Sequence, residues 1–154
     1  MKKIECWKKV LANDLDYIST EVKNLTVTPA VIILSGPVGA GKTTFVQRFI
    51  KSLIGDKQIF NSPTYSLIND FGPILHADFY RLTSKDELLH LEIPLYIEGK
   101  EYFLVEWGRP YLLELQKIIE TPFKFYELHL EINDGPLSEN GIGPSRNFSF
   151  YLLD

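Results

Sequence analysis

Cysteine is almost missing from this chain: Cys6 is the only one among 154 residues. That excludes an internal disulfide and a cysteine-built metal cluster, and it fits a reducing, cytoplasmic setting. Long apolar runs are missing too, so no segment is expected to cross a bilayer. The N-terminal MKKIECWKKV carries basic residues but no apolar signal core, and no secretion signal is expected. Positive charge is not in excess. Lys and Arg number 16 against 20 Asp and Glu, for a net charge of −4 and a pI near 5.4. This argues against a large basic surface for autonomous nucleic-acid binding. Internal repeats and low-complexity tracts are absent.

What remains is a chain long enough for one domain, 1–154, with a proper core, and 45% of it is hydrophobic. Its most informative stretch is Gly36-Pro37-Val38-Gly39-Ala40-Gly41-Lys42-Thr43, which fits G-x-x-x-x-G-K-[ST]. A loop that wraps a phosphate with its own backbone N–H groups needs glycines, which tolerate unusual φ/ψ and leave room for close approach. Lys42 then reaches the β- and γ-phosphates, and the Thr43 hydroxyl meets magnesium. Val31 to Leu34 read as a buried parallel strand before the loop. Phe45, Val46, Phe49, Ile50 and Leu53 follow it at helical spacing. The helix start adds its positive end to the site.

The rest of the chain reads as alternating elements. A first helix is expected over about Trp7 to Val22, with Trp7, Val10, Leu11, Leu15, Ile18 and Val22 on one face. Tyr65 to Asp70 and Ile74 to Tyr80 read as strands around a Phe71-Gly72-Pro73 turn. Ser84-Lys85-Asp86-Glu87 reads as a capping box opening a short helix, which Pro94 ends or redirects. Tyr102 to Glu106 reads as a buried strand. Pro110 then opens a helix carrying Leu112, Leu113, Leu115, Ile118 and Ile119, closed at Thr121-Pro122. Two alternating strands finish the chain: Tyr126, Leu128, Leu130 and Ile132 share one face, and Phe148, Phe150 and Leu152 another. Between them a long, mobile loop is expected from Asn133 to Ser145.

Turnover of a bound triphosphate needs acids near magnesium and the attacking water. Such groups sit at the carboxyl ends of strands beside the loop. Glu106 ends the apolar strand Phe103-Leu104-Val105. Asp78 sits in His76-Ala77-Asp78-Phe79-Tyr80-Arg81. A buried carboxylate is costly without a partner, which favours magnesium, water or a base beside Asp78; an exposed edge-strand acid is the bland alternative. Ser62-Pro63-Thr64 is, by itself, a turn with a hydroxyl.

Taken together, these motifs resemble the TsaE (YjeE) family, bacterial ATPases of tRNA threonylcarbamoyladenosine biosynthesis. The family pattern is G-x-x-G-A-G-K-T-[TS], then S-P-T-[FY], then H-x-D-x-Y-R, then a strand ending E-W. Here it appears in order as Gly36 to Thr44, Ser62 to Tyr65, His76 to Arg81, and Glu106-Trp107. The resemblance covers nearly the whole chain. It departs at Pro37, where the family often has an acid, and the Asn133 to Ser145 loop matches no motif.

The resemblance implies a P-loop NTPase-like α/β domain, a mixed β-sheet flanked by helices, acting on ATP with Mg2+. Gly39, Ala40, Gly41, Lys42, Thr43 and Thr44 would bind the phosphates, with Thr43 on magnesium. Thr64 would belong to a switch-like segment. Asp78 and Glu106 would serve magnesium and water activation, with the division between them open. Trp107 would lie close to the nucleotide or the partner surface. The implied partner is a TsaD–TsaB heterodimer that transfers the threonylcarbamoyl group to adenosine, with tRNA met only through those partners. No arginine finger is evident, since Arg48, Arg81, Arg109 and Arg146 are scattered in sequence, so slow turnover by the isolated chain is expected. A small-molecule or nucleoside kinase, and a non-hydrolysing ATP-dependent switch, are the alternative functions.

Overall fold

The structure, a computed structural model, describes residues 1–56, 67–120, 122–134 and 143–153. Seven strands of the described residues form one sheet: β1 (Lys2–Val10), β2 (Ala30–Ser35), β3 (Ile68–Asp70), β4 (Ile74–Asp78), β5 (Tyr102–Glu106), β6 (Lys124–Ile132) and β7 (Arg146–Leu152). Their spatial order is β1-β7-β6-β2-β5-β4-β3. The four central strands run parallel, and β3, β7 and β1 join antiparallel at the two sides. Among the described residues five α-helices accompany them: α1 (Leu15–Leu25), α2 (Lys42–Ile54), α3 (Lys85–His90), α4 (Ile93–Ile97) and α5 (Leu112–Ile118). The expected mixed sheet flanked by helices is thus the architecture found.

Sequence pattern explains the layers. In β2 every residue from Ala30 to Leu34 is fully buried, because both faces of this central strand are covered. Ala30, Ile32 and Leu34 face a core built with α1 and α2, through Ile18, Val22, Phe45, Phe49 and Ile50. Val31 and Ile33 face a second core closed by Leu88, Ile93, Ile97 and Leu115 of α3, α4 and α5. Strand period two sorts the side chains between the two cores. Burying a Phe or Ile contributes about 1.5–3 kcal/mol, and both cores draw on such residues.

One expected element is different. Trp7 to Val10 belong to strand β1, not to a helix; a 3-10 turn at Ala12–Asp14 follows, and α1 begins only at Leu15. The spacing of Trp7, Val10 and Leu11 mimics a helical face. The competing interaction is non-local: Lys2 to Val10 pair antiparallel with β7, with register shifts between Lys3 and Glu5 and between Trp7 and Val10. The lysines of this edge strand also oppose edge-to-edge association.

Smaller differences follow local chemistry. β4 ends at Asp78 rather than Tyr80, because the Asp78 carboxylate accepts the Tyr80 N–H at 2.9 Å and turns the chain. β3 starts at Ile68, and Tyr65 lies outside the described residues. Ser84 caps α3 as expected, accepting the Glu87 N–H at 3.2 Å. The Glu87 carboxylate, however, reaches back to the Thr83 N–H rather than to that of Ser84. Pro94 redirects the chain by opening α4. The expected closing hairpin pairs Tyr126 with Leu152 through Ile132 with Arg146.

Candidate functional site

Gly36 to Gly41 leave the carboxyl end of β2 and enter α2. Gly36 has φ of 132°, and a Cβ there would sit 2.3 Å from the Leu130 carbonyl oxygen. Only glycine lets the loop start this close to β6. Gly41 occupies the N-cap of α2 with φ of 100° and no side-chain cap. The first N–H groups of α2 therefore have neither a helical acceptor nor a cap, which is the arrangement that attracts an anion.

A cavity of about 400 Å³ opens on the loop, and Gly39, Gly41, Lys42, Thr43, Thr44, Asp78, Tyr80, Glu106 and Trp107 line it. Two neighbouring parallel strands deliver its acids, since Asp78 and Glu106 are register partners at the ends of β4 and β5. β4 lies between β3 and β5, so Asp78 is not an edge-strand acid.

Glu106 is 2% exposed and fully engaged. Oε1 accepts the Thr43 hydroxyl at 2.6 Å, and Oε2 lies 2.8 Å from His76 Nε2. This spares a buried carboxylate the cost of an unpaired charge. Asp78 is only half-buried. His76, carried one strand position pair before Asp78, thus acquires a role that its sequence context alone did not specify.

Lys42 is 5% exposed. Its Nζ donates to the Gly36 and Pro37 carbonyls, both at 2.8 Å, and lies 4.2 Å from the centre of the Trp107 ring, a cation–π distance. Burial pulls its ammonium pKa below the ordinary 10.5, while the charges of Glu106 and Asp78 push it back up. Trp107 has φ of 59°, a left-handed conformation that costs a non-glycine residue energy. That turn swings its ring from the end of β5 toward Lys42, and the ring meets Tyr80 with centroids 5.1 Å apart.

A second cavity of about 260 Å³ lies on the other side of the loop, sharing Gly41 and Thr44 with the first. Its walls include Val10, Leu11, Ala12 and Leu15 together with Phe148 and Arg146. Behind the loop, Ser35 Oγ donates to Glu127 at 2.6 Å and lies 2.8 Å from His129 Nδ1, and Arg109 approaches Glu127 at 3.7 Å. Ser35, Glu127 and His129 do not stand out in the sequence. The signal that existed was the adjacency of Ser35 to Gly36 and the alternation of β6, which puts Glu127 and His129 on one face.

Of the expected phosphate residues, Gly39, Gly41, Lys42, Thr43 and Thr44 therefore come together with Asp78, Glu106 and Trp107 around one cavity, while Ala40 lines the second. Thr64 lies outside the described residues. Magnesium prefers oxygen ligands, keeps several waters, and is held by one or two carboxylates plus substrate phosphates. The Thr43 hydroxyl and the adjoining Glu106 carboxylate, with Asp78 one strand away, fit that donor set.

A glycine loop between a buried parallel strand and a helix, with acids ending the adjacent strands, defines the phosphate-loop α/β class. Among solved structures, the crystal structure of Bacillus subtilis YdiB matches with a TM-score of 0.64 at 23% identity, covering 100% of this chain and 88% of that one, which establishes the fold. A sequence-family model, Threonylcarbamoyl adenosine biosynthesis protein TsaE, matches residues 11–135. Several relatives carry the name tRNA threonylcarbamoyladenosine biosynthesis protein TsaE. That of Bacillus subtilis is 34% identical over 75% of this chain and 72% of its own length. That of Rickettsia felis is 33% identical over 68% and 59%, and that of a Nostoc species 41% over 51% and 52%. The chain spans between about half and three-quarters of these relatives. The chain belongs to the TsaE family, whose role is in tRNA threonylcarbamoyladenosine biosynthesis.

Proposed function

We propose that this chain binds ATP with magnesium and hydrolyses it to ADP and phosphate. Hydrolysis drives or resets a TsaD–TsaB pair that makes N6-threonylcarbamoyladenosine in tRNA. The observation that carries the reading is the Thr43–Glu106 contact of 2.6 Å at the mouth of a loop whose Lys42 is buried beside it. Phosphoryl transfer is mostly positioning and charge stabilisation, and these residues supply both.

Lys42 leaves the Gly36 and Pro37 carbonyls and pairs with the β- and γ-phosphate oxygens. The N–H groups at the start of α2 bind the same phosphates. Thr43 and Glu106 would hold magnesium, and His76 keeps Glu106 oriented. Magnesium, when bound, neutralises developing charge on the γ-phosphate. Asp78, less enclosed than Glu106, orients the attacking water. The apolar second cavity takes the adenine and ribose, because it adjoins Thr44 on the side of the loop away from Asp78 and Glu106. Thr64 is assigned to a switch segment by family pattern alone.

No arginine lines the phosphate cavity among the described residues. This favours slow turnover until a partner completes the site, and it disfavours a kinase, which needs cationic clamps and a lid. The non-hydrolysing switch predicts equal activation of the partners by ATP and a non-hydrolysable analogue. The net charge of −4 suits tRNA being held by the partners, in the cytoplasm. Among the described residues no helix is long and apolar enough to cross a membrane.

Calorimetric titration with ATP–Mg, followed by phosphate release with and without the TsaD–TsaB pair, tests the proposal. Binding plus stimulation by the pair is expected. Binding without any hydrolysis, alone or with the pair, would replace the ATPase with the switch.

A further inference from the structure

Arg146 opens β7, opposite Ile132 on one side and Val10 on the other. Its guanidinium crosses to the phosphate loop, more than a hundred residues away in sequence. Nη2 donates to the Gly39 carbonyl at 3.1 Å and Nε to the Ala40 carbonyl at 3.3 Å, while Nη1 donates to the Pro144 carbonyl. Its partners among the described residues are all carbonyls, so no carboxylate among them cancels its charge.

Ala40 is packed into the core, and its N–H donates to the Pro37 carbonyl at 3.1 Å, but the glycines on either side of it have no such packing. Gly39 and Gly41 both have positive φ, and a Cβ at either would meet nothing within 4 Å. Glycine without packing carries the largest entropy cost on ordering. Lys42 ties down only the first half of the loop, through Gly36 and Pro37, and must release it to reach a phosphate. Arg146 holds the second half and is free to keep doing so.

The geometry points to Arg146 as a positioning residue for the phosphate-binding loop. This rests on the nucleotide reading above. In a trans peptide the C=O and N–H point opposite ways. Turning the Ala40 carbonyl toward Arg146 therefore turns the Gly41 N–H to the other side of the loop. A cationic donor on the carbonyl also polarises the peptide and strengthens its N–H as a donor to an anion. Arg146 acts through the loop and contacts no reacting atom.

The test is calorimetry on the full chain with ATP–Mg and, separately, inorganic triphosphate, for the wild type, Arg146→Ala and Arg146→Lys. Loss of charged hydrogen bonds predicts that Arg146→Ala weakens both ligands about tenfold. Turnover at saturating ATP, measured with the partner pair, stays near wild type, so the effect lies in KM rather than kcat. Arg146→Lys recovers part of the affinity, because a cationic donor is restored with poorer geometry. Equal binding by wild type and Arg146→Ala would overturn the role of Arg146 alone. A loss for ATP but not for triphosphate would also overturn it, moving Arg146 to the nucleoside. Failure of the wild type to bind either ligand would overturn the nucleotide reading with it.

Discussion

The phosphate loop is flanked by two regions that differ in how they were assembled. On one side, the ends of β4 and β5 bring Asp78 and Glu106 together as neighbours in a parallel register. On the other, β1, the turn after it and β7 build an apolar cavity and deliver Arg146 to the loop carbonyls. The first region is polar and tightly hydrogen-bonded: Glu106 is held by Thr43 and His76. The second is apolar walls and one cation. Chemistry on a phosphate needs fixed charges within ångströms, whereas holding a nucleoside needs shape and apolar surface. On the proposed reading, hydrolysis belongs to the first region and ligand affinity to the second.

The largest effect should come from Lys42, which lines the first cavity. Lys42→Ala should lower ATP hydrolysis by about a hundredfold or more, as loss of a preorganised charge does, measured by phosphate release at saturating ATP. Its melting temperature should change far less. Asp78→Asn should cut kcat about a hundredfold, the low end of general-base loss, with the ADP dissociation constant nearly unchanged. A comparable fall in ADP affinity would move Asp78 out of the chemistry.

Ala12→Trp sharpens the other side. Filling the second cavity should weaken ATP about tenfold, roughly 1.4 kcal/mol, while inorganic triphosphate binds as before. Equal weakening of both ligands would mean that the cavity does not take the nucleoside. The smallest effect lies outside both regions. Ser84→Ala removes the α3 cap and should cost about 1 kcal/mol of stability, read by denaturant unfolding, without changing nucleotide affinity.

The two regions were also unequally legible in the sequence. The loop, β2, β5 and the buried face of α2 follow from local patterns: a glycine motif, an apolar run, a helical spacing. The acids at the ends of β4 and β5 needed only the rule that parallel sheets gather chemistry at their carboxyl ends. The Trp7 to Val10 part of β1 reads as helix because Trp7, Val10 and Leu11 satisfy helical spacing, while its strand state depends on pairing with β7, whose partners lie some 140 residues away. Arg146 reads as one of several scattered arginines for the same reason. Its contact with Ala40 spans 106 positions, and no local pattern reports such a meeting. The Ser35–Glu127–His129 cluster likewise exists only because β2 and β6 are neighbours.

Single-turnover hydrolysis of ATP–Mg by wild type and Glu106→Gln, each with the TsaD–TsaB pair present and nucleotide binding checked by calorimetry, tests the central claim most directly. The account predicts that both proteins bind ATP and that the variant hydrolyses it about a hundredfold more slowly, ~2.7 kcal/mol in barrier. Equal rates in the two proteins would contradict it, and would remove the carboxyl end of β5 from the chemistry.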